Sequence, residues 1–399
     1  MLPSLQFVLA LGIIIGAAKV GGYLSSKFRQ PAVAGELLAG VILGPSLLNF
    51  LQWPVFTDEQ LGVMITHLAE LGVLLLLFIA GLELQLTDMA KYGKCCGLVG
   101  FLGFVLTIFM GYLLAITFSY DSRQALFIGL MLAPTSIGIT AQTLLEFQVL
   151  KSRVGTALLG AAAIDDTLGV LGVSLFLALY LGGVSDGFTS ILMILLRMSL
   201  FLIIISAIGF WLLPKAARLT EKMPISQGLV AFAFITMLIF AWSAEALGNM
   251  TAIIGAFLAG LFFARSSHKG KIERGFSSIA YGLFVPIFFI NIGLSANMRQ
   301  VPIQGLIFLV GMLVVVVLSK LVGSGIGGRL GGFTTRESWQ LGFGMIPRGE
   351  VVLIIAAIGI SEGLIDSIVF SSVVMLVILT SLITPFILQK AFAPSHGSN

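Results

Sequence analysis

The sequence is short of charge. Of its 399 residues, 10% are Asp, Glu, Lys or Arg, against roughly 25% in a soluble domain. With 58% hydrophobic residues and a mean hydropathy of +1.09, the chain could not keep such a surface dissolved. That excludes a soluble enzyme, a disordered chain and a nucleic-acid binder. Cysteine is nearly absent as well. Cys95 and Cys96 are adjacent, a spacing that suits neither a disulfide framework nor a metal site. The opening residues, Met1 to Phe7, hold no basic stretch and no cleavage pattern, so no removable signal peptide is expected. What remains is an all-α polytopic membrane protein, of which neither enzyme activity nor a cofactor is expected.

A membrane-spanning helix needs about 20 mostly apolar residues. Thirteen stretches qualify, near 5–24, 32–49, 63–84, 95–118, 124–146, 153–181, 188–212, 226–246, 250–265, 276–295, 303–328, 336–360 and 366–389. The connections between them separate by charge. One set carries Lys27, Arg29, Lys91, Lys94, Lys151, Arg153, Lys215, Arg218, Lys222, Arg265, Lys269, Lys271, Arg274, Arg329, Arg336 and Lys390, and the other only Arg123 and Arg299. Sixteen against two is a positive-inside pattern. It predicts a cytoplasmic C-terminus and, with an odd number of helices, an external N-terminus, in a multi-pass protein of the cell inner (plasma) membrane.

An internal repeat accompanies the count. The fifth stretch is interrupted at Leu132-Ala133-Pro134-Thr135-Ser136-Ile137-Gly138, and the twelfth at Gly344-Met345-Ile346-Pro347-Arg348-Gly349-Glu350. The offset 347 − 134 = 213 lays stretches 4–6 on stretches 11–13. That shift is an odd number of helices, so the two units run oppositely through the bilayer. Paired inverted units with a Pro/Gly-interrupted middle helix are a signature of secondary transporters. A break exposed to lipid would leave backbone groups unpaired, so breaks belong where they line a polar cavity.

Some charges cannot reach an interface. Asp165 and Asp166 lie ten to thirteen residues into the sixth stretch, about 15–20 Å deep at 1.5 Å per residue. Lys320 returns to a similar depth from the other side, and Thr135, Ser136, Arg348 and Glu350 lie at the breaks. A charge at the bilayer centre costs about 2.5–3.5 kcal/mol on the most lenient scale, so such groups pair, face water and mark ion or proton paths. Adjacent helical residues point about 100° apart, which lets one Asp pair with Lys320 while its neighbour faces a cavity. Hard monovalent cations take oxygen ligands, and carboxylates can exchange them for protons. Those residues predict a secondary transporter exchanging Na⁺ or Li⁺ for H⁺.

The Asp165-Asp166 pair, the Pro134-Thr135-Ser136 break, Lys320 and the Pro347-Arg348-Gly349-Glu350 break together resemble the second branch of the monovalent cation/proton antiporters, with NapA-type bacterial sodium/proton antiporters as the nearest relatives. The similarity extends to Gly35-Glu36-Leu37-Leu38-Ala39-Gly40 and Gly44-Pro45. It implies an NhaA/NapA-like fold of crossed broken helices. Residues 1–92 (helices 1–3) and 183–300 (helices 7–10) would form a dimerisation scaffold with a connector helix. Residues 93–182 and 301–390 would form the ion-transporting core, and 391–399 a short tail. It implies Asp166 as the primary ion-binding carboxylate, Asp165 as the partner of Lys320, Thr135 and Ser136 as cation ligands, and a homodimer working by alternating access. Pro134, Pro347, Arg348 and Glu350 would support the breaks, and Glu36 could line the inner funnel. Related potassium-efflux members carry a nucleotide-binding domain; this sequence shows none after residue 390, which predicts no nucleotide partner. Membrane lipids, the cation and the proton are the expected partners.

Other readings weigh less. An intramembrane aspartyl protease needs two carboxylates sharing one site, which adjacent helical residues cannot do. A channel needs a continuous pore, whereas these polar groups cluster at one depth. A K⁺(Na⁺)/H⁺ exchanger of the same fold is the main alternative. Gly323-Ser324-Gly325-Ile326-Gly327-Gly328 matches a dinucleotide fingerprint but follows a helix rather than a strand, so it predicts close helix packing. Arg197, which could also bind lipid headgroups or pair with a core acid, and Lys19 are expected to snorkel, and Glu36, Glu70, Glu83 and Glu245 to sit at interfaces.

Overall fold

A computed structural model describes residues 2–28, 30–83, 91–180, 187–222, 226–266, 268–295 and 303–392. Arg29, Arg299 and most of the predicted tail, 393–399, lie outside the described residues. Those described are helical, with no strand. Ten helices among them are long and apolar enough to cross a membrane, and three shorter apolar helices, Ala32–Leu43, Ala252–Phe263 and Val351–Ile360, accompany them. The chain is a multi-pass membrane protein.

Numbered by apolar stretch, helix 1 is Pro3–Lys27, helix 2 Ala32–Leu43, helix 3 Leu61–Glu83 and helix 4 Gly93–Thr117. Helix 5 is two pieces, Ser122–Leu132 and Ile137–Glu146, and helix 6 is Arg153–Tyr180. Helix 7 runs from Gly187–Ala207 through a wider π turn, Ile208–Leu212, into Leu213–Lys222; helix 8 is Gly228–Ala246 and helix 9 Ala252–Phe263. Helix 10 joins Lys269–Ile279 to Val285–Leu294 through a π turn at Ala280–Phe284. Helix 11 joins Ile303–Ser319 to Gly325–Leu330 through another at Lys320–Ser324. Helix 12 is two pieces, Thr335–Gly344 and Glu350–Ser361, and helix 13 is Ser367–Phe392.

The repeat is visible in how the two broken helices begin. Asp121 caps helix 5, accepting from the Gln124 amide at 2.8 Å, and Thr334 caps helix 12, accepting from the Glu337 amide at 3.3 Å. Gln124 and Glu337 each reach back to the capping residue's own amide, so both ends are reciprocal capping boxes. The spacing 334 − 121 = 213 equals that between the two prolines. These caps satisfy first-turn amides that would otherwise be orphaned.

Packing falls into two neighbourhoods. Helices 1, 2, 3, 8, 9 and 10 pack chiefly on one another, and helices 4, 5, 6, 11, 12 and 13 do the same. The second group encloses its own apolar cluster, which includes Phe104, Phe127, Phe176 and Phe308. Small residues set the approach of helix 4 to helix 11. A Cβ on Gly323 would stand 2.7 Å from the Leu102 carbonyl oxygen, and one on Gly327 2.6 Å from that of Leu98. The glycine run is therefore a packing surface, as its helical context predicts.

Candidate ion site at the helix crossing

The breaks in helices 5 and 12 lie against each other and satisfy one another's backbone. The Ser136 amide donates to the Pro347 carbonyl at 2.8 Å. The Thr140 hydroxyl donates to the Gly344 carbonyl at 2.8 Å, and that of Thr135 to the Met345 carbonyl at 3.1 Å. Arg348 is wholly buried and turns back on its own break: its Nη1 lies 3.0 Å from both the Met345 and the Ile346 carbonyls and 3.4 Å from the Thr135 hydroxyl. Helix 13 secures the same turn, since the Arg348 amide donates to Thr380 Oγ1 at 3.1 Å and the Ser381 hydroxyl to the Arg348 carbonyl at 3.2 Å. Carbonyls freed by the break thus have partners where lipid could offer none. Glu350 opens the second piece of helix 12; its side chain falls outside the described ones.

Helix 6 crosses beside these breaks. Closeness is enforced at Gly169, where a Cβ would lie 2.6 Å from Pro134 Cγ. The two aspartates diverge as adjacent helical residues must. Asp165 faces helix 11 and accepts from Lys320 Nζ at 2.7 Å, both side chains being fully buried. Lys320 starts the π turn of helix 11, an irregularity that recurs at functional sites in helices. Arg348 is within electrostatic range of Asp165 and of Lys320. Asp166 points the other way, into a small cavity shared with Pro134, Thr135, Ser136, Gly349 and Val351. Its Oδ2 accepts from the Thr251 hydroxyl at 2.7 Å.

Of the two hydroxyls predicted to help hold an ion, Thr135 is engaged in the crossing. The buried Ser136 Oγ has no hydrogen-bond partner among the described residues. Buried polar atoms ordinarily have partners, so Ser136 is the hydroxyl left over for a ligand. The candidate oxygens are hard donors, and no group of three or more His, Cys, Asp or Glu suited to a tightly held metal occurs among the described residues.

A second cavity, of about 870 Å³, lies on the far side of Asp166 from Arg153, where helix 6 ends. Helices 3, 6, 8 and 12 wall it with apolar side chains, and Glu70, Glu245, Asn249 and Thr251 add polar groups. Glu70 and Glu245, expected at interfaces, line this space. Glu83 pairs with Lys151 at 3.4 Å. Arg197 is exposed on helix 7, while Lys19 donates to the Tyr281 carbonyl at 2.7 Å, within the π turn of helix 10. Glu36 is buried in helix 2 at the opposite end from the large cavity. There Glu146 accepts from the Ala32 and Val33 amides at 2.9 and 3.1 Å. Reading the residues missed Thr251 and Glu146: one sits in a short connection, the other at a helix end, and nothing in the order of residues signals what each meets.

A family profile described as "Sodium/hydrogen exchanger, transmembrane" matches residues 12–392. The Na(+)/H(+)-K(+) antiporter GerN of Bacillus cereus is 35% identical over 387 residues, covering 97% of this chain and 96% of GerN. The Na(+)/H(+) antiporter of Enterococcus hirae is 32% identical, covering 96% of this chain and 98% of its own. Among solved structures, the sodium proton antiporter MjNhaP1 of Methanocaldococcus jannaschii superposes with a TM-score of 0.70 over 98% of each chain at 15% identity, a likeness of fold. With the profile spanning residues 12–392 and relatives above 30% identity covering 96–97% of the chain, this protein belongs to the sodium/hydrogen exchanger family of membrane antiporters.

Proposed function

We propose that the chain exchanges Na⁺ or Li⁺ for H⁺ across the cell's inner membrane by alternating access, with net movement of charge. The observation that carries this reading is the charge arrangement at the crossing. Two carboxylates, Asp165 and Asp166, lie buried with two cationic side chains, Lys320 and Arg348. With all four ionised the site sums to zero. A monovalent cation on Asp166 would leave one uncompensated positive charge in a poorly polarisable surrounding, which favours release of a proton from Lys320. The cation-loaded site then totals zero: two carboxylates against the cation and Arg348. With Asp166 and Lys320 both protonated it totals +1, from Arg348 and Lys320 against Asp165. Two protons therefore exchange for one cation, and one charge crosses per cycle.

In this reading helices 4–6 and 11–13 move as a core against a dimeric scaffold of helices 1–3 and 7–10. There are thirteen crossings, an external N-terminus and a cytoplasmic C-terminus. The large cavity then opens outward and Glu36 lies on the cytoplasmic side, where it can line an inner funnel. Cation and proton compete for Asp166, so the half-saturating Na⁺ concentration rises as pH falls. The second reading, K⁺(Na⁺)/H⁺ exchange, is favoured by the similarity to GerN, whose name includes K(+). Proteoliposomes decide between them: an imposed ΔpH should collapse on adding Na⁺ or Li⁺, and collapse equally well with K⁺ would shift the assignment to the second reading. Asp166→Asn should abolish exchange with every cation. Substantial Na⁺-driven proton movement in that variant would remove Asp166 from its assigned role.

A further inference from the structure

Thr251 stands where a structural role is expected of it and does something else. It occupies the capping position before helix 9, with an extended backbone at φ −66° and ψ 145°, yet its side chain makes no cap hydrogen bond. A threonine there ordinarily accepts from a first-turn amide. Its hydroxyl instead donates to Asp166 Oδ2 at 2.7 Å. Helix 9 packs on helices 3 and 8, so this bond joins the two packing neighbourhoods of the fold. Thr251 also lines the 870 Å³ cavity, whereas Asp166 lines the small one at the crossing. It therefore stands between the wide space and the carboxylate.

We propose that the Thr251 hydroxyl is a cation ligand supplied from outside the crossed-helix unit, present on the cavity-facing side of the cycle and left behind on the other. The inference rests on the reading of Asp166 as the cation-binding carboxylate. A hydroxyl has one proton to donate and two lone pairs to offer. Thr251 can keep its bond to Asp166 Oδ2 while presenting oxygen to a small hard cation. A cation leaving the wide cavity sheds water into a space lined mainly by Pro134, Ile137, Ile253, Val351 and Val352, and each lost water needs a replacement oxygen. Ser136 offers one from the crossing and Thr251 one from the scaffold. Displacing helix 6 against helix 9 by a few ångströms breaks the Thr251 contact and keeps that of Ser136. The affinity contributed by Thr251 is thus confined to one face of the membrane.

The test is sidedness. Thr251→Val, Thr251→Ser and wild-type protein are expressed in an antiporter-deficient bacterium, and Na⁺-dependent proton movement is measured in right-side-out and everted membrane vesicles. Thr251→Val keeps the β-branched shape and removes the oxygen. The half-saturating Na⁺ concentration should rise about tenfold on the face to which the large cavity opens, the loss expected for one contact to a charged group. It should stay unchanged on the opposite face, and Thr251→Ser should restore it. Should the valine variant not insert, Thr251→Ala is read the same way. An unchanged value on both faces, an equal rise on both faces, or a serine variant no better than valine would each overturn the proposal. Asp166→Asn separates the two levels. If it is inactive while Thr251→Val behaves as wild type, only this inference falls; if it still exchanges, the reading of Asp166 falls and this inference with it.

Discussion

Helix 5 breaks over residues 133–136 with two hydroxyls and no charge, whereas helix 12 breaks over 345–349 around a buried arginine. Both start from a capping box at the same offset and both turn at a proline. The backbone plan is shared and the side-chain chemistry is divided. In helix 12 the Arg348 guanidinium folds back on the Met345 and Ile346 carbonyls, so its break is closed from within. In helix 5 the Ser136 amide and the Thr135 hydroxyl are given to helix 12, and only the Ser136 hydroxyl remains to face the cavity. One break carries a built-in positive charge, and in the proposed reading the other supplies the cation's hydroxyl ligand. Such a division suits a site that must bind a cation and still release it: the fixed charge opposes excess affinity while the loose hydroxyl replaces a water.

The largest expected effect breaks the support side of this comparison. Arg348→Gln removes a buried cation and leaves the break's carbonyls short of donors, a cost of about 3–5 kcal/mol. The variant should show a sharply lower thermal midpoint in detergent and no exchange. A variant as stable as wild type would mean that the break holds without its arginine.

Next comes Lys320→Gln, which leaves Asp165 buried beside Arg348 alone. Its stability should fall by up to about 3–5 kcal/mol; Arg348, still within electrostatic range of Asp165, opposes the full loss. The folded fraction should lose Na⁺-induced current on a solid-supported membrane even where some electroneutral exchange survives. Currents of wild-type size would assign Lys320 a purely structural part and place the moving charge elsewhere.

The smallest effects sharpen the contrast between neighbours within helix 5. Thr135→Val removes a hydroxyl engaged with Met345 and Arg348, so it should cost about 1–2 kcal/mol of stability and change the half-saturating Na⁺ concentration little. Ser136→Ala should leave the thermal midpoint almost unchanged, because its hydroxyl holds nothing among the described residues, and should raise that concentration several-fold. The same pattern in both variants would erase the distinction between support and ligand.

Much of this site is legible in the order of residues. Asp165 and Asp166 stand out because ionisable groups deep in an apolar helix demand partners, and Lys320 is the cation at matching depth. The divergence of the pair follows from helical geometry alone, as does the choice of Pro134 and Pro347 as turning points. The glycine run at 323–328 was equally readable, since its place inside a helix left packing as its use. The cavity that Glu70 and Glu245 line was not readable, because it forms between helices far apart in the order of residues.

The sequence by itself determined the medium, the helices and the repeat. Each depends on properties local to the chain: apolar length, the sign of charge in the connections, proline at a fixed offset. It also determined which side chains could not remain alone in a bilayer. The family resemblance already implied Asp165 as the partner of Lys320, but only the tertiary structure decided that Arg348 closes its own break and that Thr251, 85 positions from Asp166, reaches across from helix 9. Such contacts join residues far apart in sequence, and they depend on how whole helices lie against one another. Small residues at Gly169, Gly323 and Gly327 set that arrangement by letting backbones touch, and a list of neighbours along the chain cannot express it.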